Sequence, residues 1–224
     1  MDKSPDLPIS RSPDPLRLPR LYAILDPAQA DGRPTMEIAT HLLAAGVRLI
    51  QFRDKRASSG ELYSSAQQIA ESVRNAGGLF IVNDRADVAR AMDADGVHLG
   101  QDDLPVESAR TLLGSDKMIG YSTHVLEQVR EADRSSADYI AFGPVFSTTS
   151  KDNSGPVVGL EGLREARKIT RKPLVAIGGI TLENARAVIE AGADSVAVIR
   201  ALVGAPDIRS RAMEFLERVG SSGK

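Results

Sequence analysis

The chain has 224 residues and a net charge of −2, and hydrophobic residues make up 42% of it, enough for the core of one large α/β domain. It contains no Cys, which excludes disulfides, thiolate nucleophiles and zinc–thiolate sites, and it lacks the basic excess of a nucleic-acid or membrane-surface binder. No apolar run approaches the roughly 18 residues of a membrane span, and the first residues lack the pattern of a secretory signal, so a cytoplasmic protein is expected.

Residues 1–19 carry Pro5, Pro8, Pro13, Pro15 and Pro19 among Ser and Asp, a composition that buries little and predicts a disordered N-terminal arm. From there residues 20–224 read as one domain. Short apolar runs start at Leu21 (LYAILD), Leu49 (LIQFRD), Leu79 (LFIVND), Gly96 (GVHLG), Met118 (MIGYST), Tyr139 (YIAFGPV), Pro173 (PLVAIGG) and Ser195 (SVAVIRAL). Each has the length of a strand. Amphipathic stretches separate them. In Glu61–Asn75, Leu62, Ala66, Ile69, Ala70 and Val73 recur at helical spacing; Ala185, Val188 and Ile189 do the same in Glu183–Ala191. The phrases AAGVRLI, DADGVHL, SADYIAF and AGADSVAVI form a weak internal repeat, with Gly46 and Gly192 placed to end helices. Eight such βα units at a period of about 25 residues predict a (βα)8 TIM barrel. An open doubly wound sheet is the alternative, but LYAILDPAQADG lacks the Gly-rich turn that such a sheet carries after its first strand.

In such a barrel the chemistry belongs at the C-terminal ends of the strands. Those positions hold Gln51, Arg53 and Lys55, then Asn83 and Asp84, then Gln101, Asp102 and Asp103, then Ser122 and His124. After the sixth run come Thr148, Thr149, Ser150 and Lys151; the last two runs end in Gly178-Gly179 and Ile199-Arg200. The opposite ends carry mostly Gly, Leu, Ala and Pro. Asp84 and Asp103 end neighbouring strands, and two carboxylates without Cys favour a hard cation such as Mg²⁺; the competing reading is that each caps a following helix. Arg53, Lys55 and Lys151 around that pair suit a polyanion such as diphosphate, although a structural ion-pair network has the same composition. Phe146–Leu163 reads as a phosphate-contacting loop or an ordinary solvated one. Backbone N–H groups at Gly178, Gly179, Ile199 and Arg200 are placed for a second phosphate. His41 falls mid-helix; for His98 and His124 the readings are a substrate contact or, more commonly, a packed, hydrogen-bonded residue of the barrel interior or mouth. No Ser-His-Asp, Walker or zinc-helix motif is present.

The ordered strings QFRDK (Gln51–Lys55), VNDR (Val82–Arg85), ADGVHLGQDD (Ala94–Asp103), GYSTH (Gly120–His124), GPVFSTTSK (Gly143–Lys151), GLEGL (Gly159–Leu163), AIGGIT (Ala176–Thr181) and AGADSVAVI (Ala191–Ile199) resemble the thiamine phosphate synthase family over nearly the whole chain after the arm. The resemblance implies a transferase that joins the diphosphate of 4-amino-5-hydroxymethyl-2-methylpyrimidine to hydroxyethyl-thiazole phosphate, releasing diphosphate with Mg²⁺ assistance. It implies that Gln51, Phe52, Arg53, Asp54, Lys55, Asn83, Ser122 and Lys151 hold the pyrimidine diphosphate, with Arg53, Lys55, Lys151 and Ser122 the catalytic set. Asp84 and Asp103 would bind the metal, and Thr148, Thr149, Ser150, Gly179, Ile199 and Arg200 the thiazole phosphate. The chain departs from the family pattern at Arg200, where Ser is usual, at Ser147, where Pro is common, and at Ser150, where Thr is common. The rival readings are a thiazole tautomerase-like relative, a non-catalytic binder of thiamine phosphate, and another phosphate-binding barrel enzyme. Partners are expected to be small molecules, with no nucleic acid or membrane; homo-oligomerisation is left open.

Overall fold

A computed structural model describes residues 16–148 and 156–220. Eight parallel strands close into a barrel in sequence order: β1 (Leu21–Leu25), β2 (Leu49–Phe52), β3 (Leu79–Asn83), β4 (Gly96–Leu99), β5 (Met118–Thr123), β6 (Tyr139–Phe142), β7 (Leu174–Ala176) and β8 (Ser195–Val198). The closing pair sets Tyr22 beside Ala197 and Ala23 beside Val198. A 3-10 turn at Pro27–Gln29 and helices α1 (Thr35–Ala44), α2 (Ser59–Asn75), α3 (Ala86–Ala91), α4 (Val106–Leu113), α5 (Leu126–Arg134), α6 (Gly159–Ile169), α7 (Ala185–Glu190), α8 (Arg200–Val203) and α9 (Ile208–Gly220) complete the described elements. The open-sheet alternative is thereby excluded.

Alternation along each strand divides the apolar residues into two cores. Outward residues such as Ala23, Ile50, Phe80, Val97, Ile140 and Val196 pack under the helices. Inward residues form a smaller cluster of Leu18, Tyr22, Ile24, Leu49, Ile81, Met118, Tyr139, Ala141, Val175 and Ala197 that fills the barrel. The five positions read as the apolar face of the second helix are its buried residues in α2. That helix starts at Ser59, two residues before the periodic stretch, because Ser58 and Glu61 form a reciprocal capping box. Gly46 follows α1 with φ +99°, and Val47 N–H returns to the Leu42 carbonyl at 3.0 Å, the expected helix-ending turn.

Packing begins before Arg20. Leu18 is buried in the inner cluster, and the Pro19 carbonyl accepts from Ser195 Oγ at 2.8 Å. The end of the segment expected to be disordered is therefore part of the barrel floor; residues 1–15 lie outside the described residues.

Candidate active site

Three aspartates brace the N-terminal ends of the strands. Asp95, Asp138 and Asp194 precede β4, β6 and β8, and their Oδ2 atoms accept the N–H groups of Phe80, Ile119 and Leu174, each at 2.8 Å. Asp138 also takes Arg110 at 2.5 Å, and Asp194 takes Arg167 at 2.7 Å. At this end every such carboxylate faces a donor.

The C-terminal ends are arranged differently. Asp84 follows β3 with φ +62°, a left-handed conformation that costs a non-glycine residue roughly 1 kcal/mol or more. Its N–H is held by the His98 carbonyl at 2.8 Å, and its carboxylate meets Lys55 Nζ at 3.2 Å. Asp103 accepts from Gly100 N–H at 2.6 Å. Burial, reinforced by the adjacent Asp84 carboxylate, holds Asp103 above the usual carboxylate pKa. Neither residue caps a helix: the cap positions of α3 and α4 are Arg85 and Pro105. The helix-cap reading is excluded, and the two carboxylates lie side by side. Two oxygen donors with no Cys or His suit a hard cation that keeps its remaining positions for water and phosphate. No group of three or more His, Cys, Asp or Glu forms a metal cluster among the described residues.

Arg53 pairs with Asp26, a buried carboxylate at the end of β1 whose other oxygen caps the turn at Ala28. Arg53 Nε is buried with no hydrogen-bond partner among the described residues. Asp26 is a site residue that strand-end reading missed, although it ends its run as Asp84 ends another. Phe52 is buried outward among the helices and serves packing; Asp54 turns back to accept from Arg56 and Ala57 N–H at 3.0 and 3.2 Å. Gln51, Asn83 and Ser122 are buried polar residues on β2, β3 and β5. Gln101 braces the end of β5 by donating to the Ser122 carbonyl at 2.6 Å.

A cavity of about 420 Å³ opens over β6, β7 and β8, away from the carboxylate pair. Its lining includes His124, Thr148, Gly178, Gly179, Ile199 and Arg200, with Ile24, Ile177 and Ala197 as an apolar floor. Gly178 (φ +87°) and Gly179 (φ +65°) are needed twice over: a Cβ there would lie 2.4 Å from Pro144 Cβ and 2.5 Å from the Ser147 carbonyl oxygen. The N–H groups of Gly179, Arg200 and Ala201 meet no acceptor among the described residues. Arg200 is exposed at the rim, and His124 is fixed by its Nδ1, 2.6 Å from the Gly143 carbonyl oxygen. Thr149, Ser150 and Lys151 lie outside the described residues.

The mouth thus has two parts, a carboxylate–cation cluster over β2 to β4 and an orphaned N–H cavity over β6 to β8. No described helix is long and apolar enough to cross a membrane. The family model for thiamine monophosphate synthase matches residues 21–202. The thiamine-phosphate synthase of Koribacter versatilis (strain Ellin345) is 50% identical over 206 residues, 90% of this chain and 96% of the relative. That of Moorella thermoacetica (strain ATCC 39073 / JCM 9320) is 45% identical over 199 residues, 89% and 95% of the two chains. The solved thiamine phosphate pyrophosphorylase from Pyrococcus furiosus superposes with a TM-score of 0.82 at 39% identity, covering 90% of this chain and 96% of the other. The matched span, the closed barrel and the strand-end residues agree: the chain belongs to the thiamine monophosphate synthase family and is a transferase.

Proposed function

We propose that this enzyme condenses 4-amino-5-hydroxymethyl-2-methylpyrimidine diphosphate with hydroxyethyl-thiazole phosphate to give thiamine phosphate and diphosphate. The observation that carries this reading is the contact between the Asp84 and Asp103 carboxylates beside Lys55, opposite a separate cavity with unpaired N–H groups. Two anion pockets suit the joining of two phosphorylated substrates better than the binding of one.

Asp84 and Asp103 are the residues that would hold Mg²⁺. A divalent cation bound there supplies charge neutralisation to the departing diphosphate. Lys55 and Arg53, with Lys151 by the family resemblance, would supply positive charge to the same leaving group, as electrostatic stabilisation requires. Asp26 anchors Arg53 so that its guanidinium stays at the mouth. The C–O bond to the pyrimidine methylene breaks with its electron pair going to diphosphate. The aminopyrimidine delocalises the cation left behind, and the thiazole nitrogen donates the pair that forms the new C–N bond. Such a dissociative substitution needs positioning more than a nucleophile or a general base. Gly179, Ile199, Arg200 and Thr148 hold the thiazole phosphate in the second cavity. The full pyrimidine-side charge set disfavours a tautomerase-like or non-catalytic role, neither of which handles a leaving diphosphate.

Incubating the full chain with both substrates, with Mg²⁺ or with EDTA, and separating products by chromatography tests this. Thiamine phosphate is expected only with Mg²⁺; its absence in both arms overturns the synthase reading.

A further inference from the structure

The two carboxylates at the rim are held by different means. Asp84 is fixed by its own backbone, whose N–H donates to the His98 carbonyl on the neighbouring β4 at 2.8 Å. The Asp103 N–H reaches only the Gly100 carbonyl of its own loop, at 3.4 Å. The β4–β5 ladder ends where Leu99 pairs with Tyr121, and the chain then turns away through residues 100–104. Within that loop Asp103 Oδ2 accepts from Gly100 N–H at 2.6 Å. Gly100 gives the carboxylate room, since a Cβ there would lie 3.1 Å from the same oxygen. This bond sets the shape of the loop but not its place on the barrel. Gln101, Asp102 and Leu104 are exposed, so little packing holds it down.

Gln101 supplies the place. Its Nε2 donates to the Ser122 carbonyl on β5 at 2.6 Å, and its side chain also hydrogen-bonds the Tyr121 hydroxyl. The Ile119 and Thr123 carbonyls accept from Asp138 and Gly143 on the β6 side, so alternation turns the Ser122 carbonyl toward β4. A side-chain amide thus continues the ladder where the backbone has left it. Among the described residues, these two bonds and the contact with Asp84 are the hydrogen bonds that residues 100–104 make to other strands and their ends. The anchor itself is rigid. Ser122 Oγ lies 2.8 Å from His98 Nε2, His98 Nδ1 lies 3.0 Å from Tyr139 Oη, and the Tyr139 and Tyr22 hydroxyls are 2.9 Å apart. Gly120 makes space for this packing, because a Cβ at that position would fall 2.0 Å from Tyr139 Cζ.

We infer that Gln101 is a positioning residue for the cation site: it hangs the Asp103 loop from β5 and keeps that carboxylate against Asp84 before a cation arrives. This rests on the reading that Asp84 and Asp103 hold the cation. Two like charges, one of them on an untethered loop, would swing apart into water, and cation binding would then bear the cost of bringing them together. The tether removes that cost in advance. Its loss falls on cation affinity rather than on the fold, because the side chain that makes it is exposed.

Mn²⁺ binding to the full chain, read from the loss of the free-ion paramagnetic resonance signal, tests the inference; Mn²⁺ takes the same oxygen donors as Mg²⁺. Gln101→Met keeps the length of the side chain and removes the amide. It is expected to weaken Mn²⁺ binding by about tenfold and to raise the Mg²⁺ concentration for half-maximal turnover by about the same factor. Turnover at saturating Mg²⁺ and KM for the thiazole phosphate should stay within about twofold of wild type, since the second cavity is not touched. Gln101→Leu removes the same amide and serves if Gln101→Met does not fold. Equal Mn²⁺ affinities in the wild type and a folded variant overturn the inference, as does a loss of turnover that saturating Mg²⁺ does not restore. A wild type that binds no Mn²⁺ overturns the cation reading and the inference with it. Failure of the synthase reading is seen separately, as Mn²⁺ binding without thiamine phosphate formation.

Discussion

The two ends of this barrel use the same residue for opposite purposes. Below, Asp95, Asp138 and Asp194 each accept the N–H of a neighbouring strand, and two of them are also neutralised by arginine. Above, Asp84 and Asp103 contact one another, Asp84 pairs with Lys55, and Asp84 sits in a left-handed backbone conformation. A carboxylate that closes a strand junction meets only donors; the two at the rim also meet each other. Like charges held together on a rigid rim are a structural cost of the kind found at functional sites.

Substitutions at the two ends should separate activity from stability. The largest expected effect is at the rim: Asp84→Asn should lower kcat/KM by about 10²–10³-fold, the scale on which electrostatic stabilisers of a developing charge act. Its thermal midpoint should not fall, which calorimetry checks. At the floor, Asp138→Ala strips acceptors from Ile119 N–H and Arg110 and should cost about 2–3 kcal/mol, lowering Tm by roughly 2–4 °C per kcal/mol. Its kcat/KM per folded molecule should stay within twofold of wild type by about the same reasoning, because no mouth residue is touched. A fall in kcat/KM as large as that of Asp84→Asn would erase the distinction between the ends.

The smallest effect concerns pH. Asp103 holds its proton more tightly in the folded protein than in the unfolded chain. The stability of its neutral form is fully present below the ordinary carboxylate pKa and is lost as pH rises through the higher folded value. Without added divalent cation, Asp103→Asn should therefore raise Tm by a few degrees at neutral pH and by less below about pH 4. Equal Tm differences at both pH values would show that neither burial nor the adjacent Asp84 carboxylate raises Asp103.

All eight strands were legible in the sequence because each apolar run is short and set off by turn residues, and all but Gly96–Gly100 are rich in Val, Ile, Leu or aromatics; β1 to β8 start within one residue of those runs. The site was legible in part. Strand-end position identified Lys55, Asp84 and Asp103, and the structure brings them together. Asp26 ends LYAILD with the same strand-end signal as Asp84, and its pairing with Arg53 exists only once β1 and β2 lie side by side. Phe52 came with its motif, yet strand alternation turns it outward. The hydrogen bonds that join Tyr22, Tyr139 and His98 left no local signal, since these residues are 117 and 41 positions apart and meet only across the closed barrel.

Gly120 and Tyr139 carry one more consequence. Any side chain at 120 excludes the ring at 139, and any smaller residue at 139 leaves an apolar void beside polar groups. The two positions therefore behave as a single inherited character. A descendant that changes one must change the other in the same step or pass through a damaged intermediate, so the chemistry of the barrel floor resists gradual drift even while the helices outside it remain free to vary.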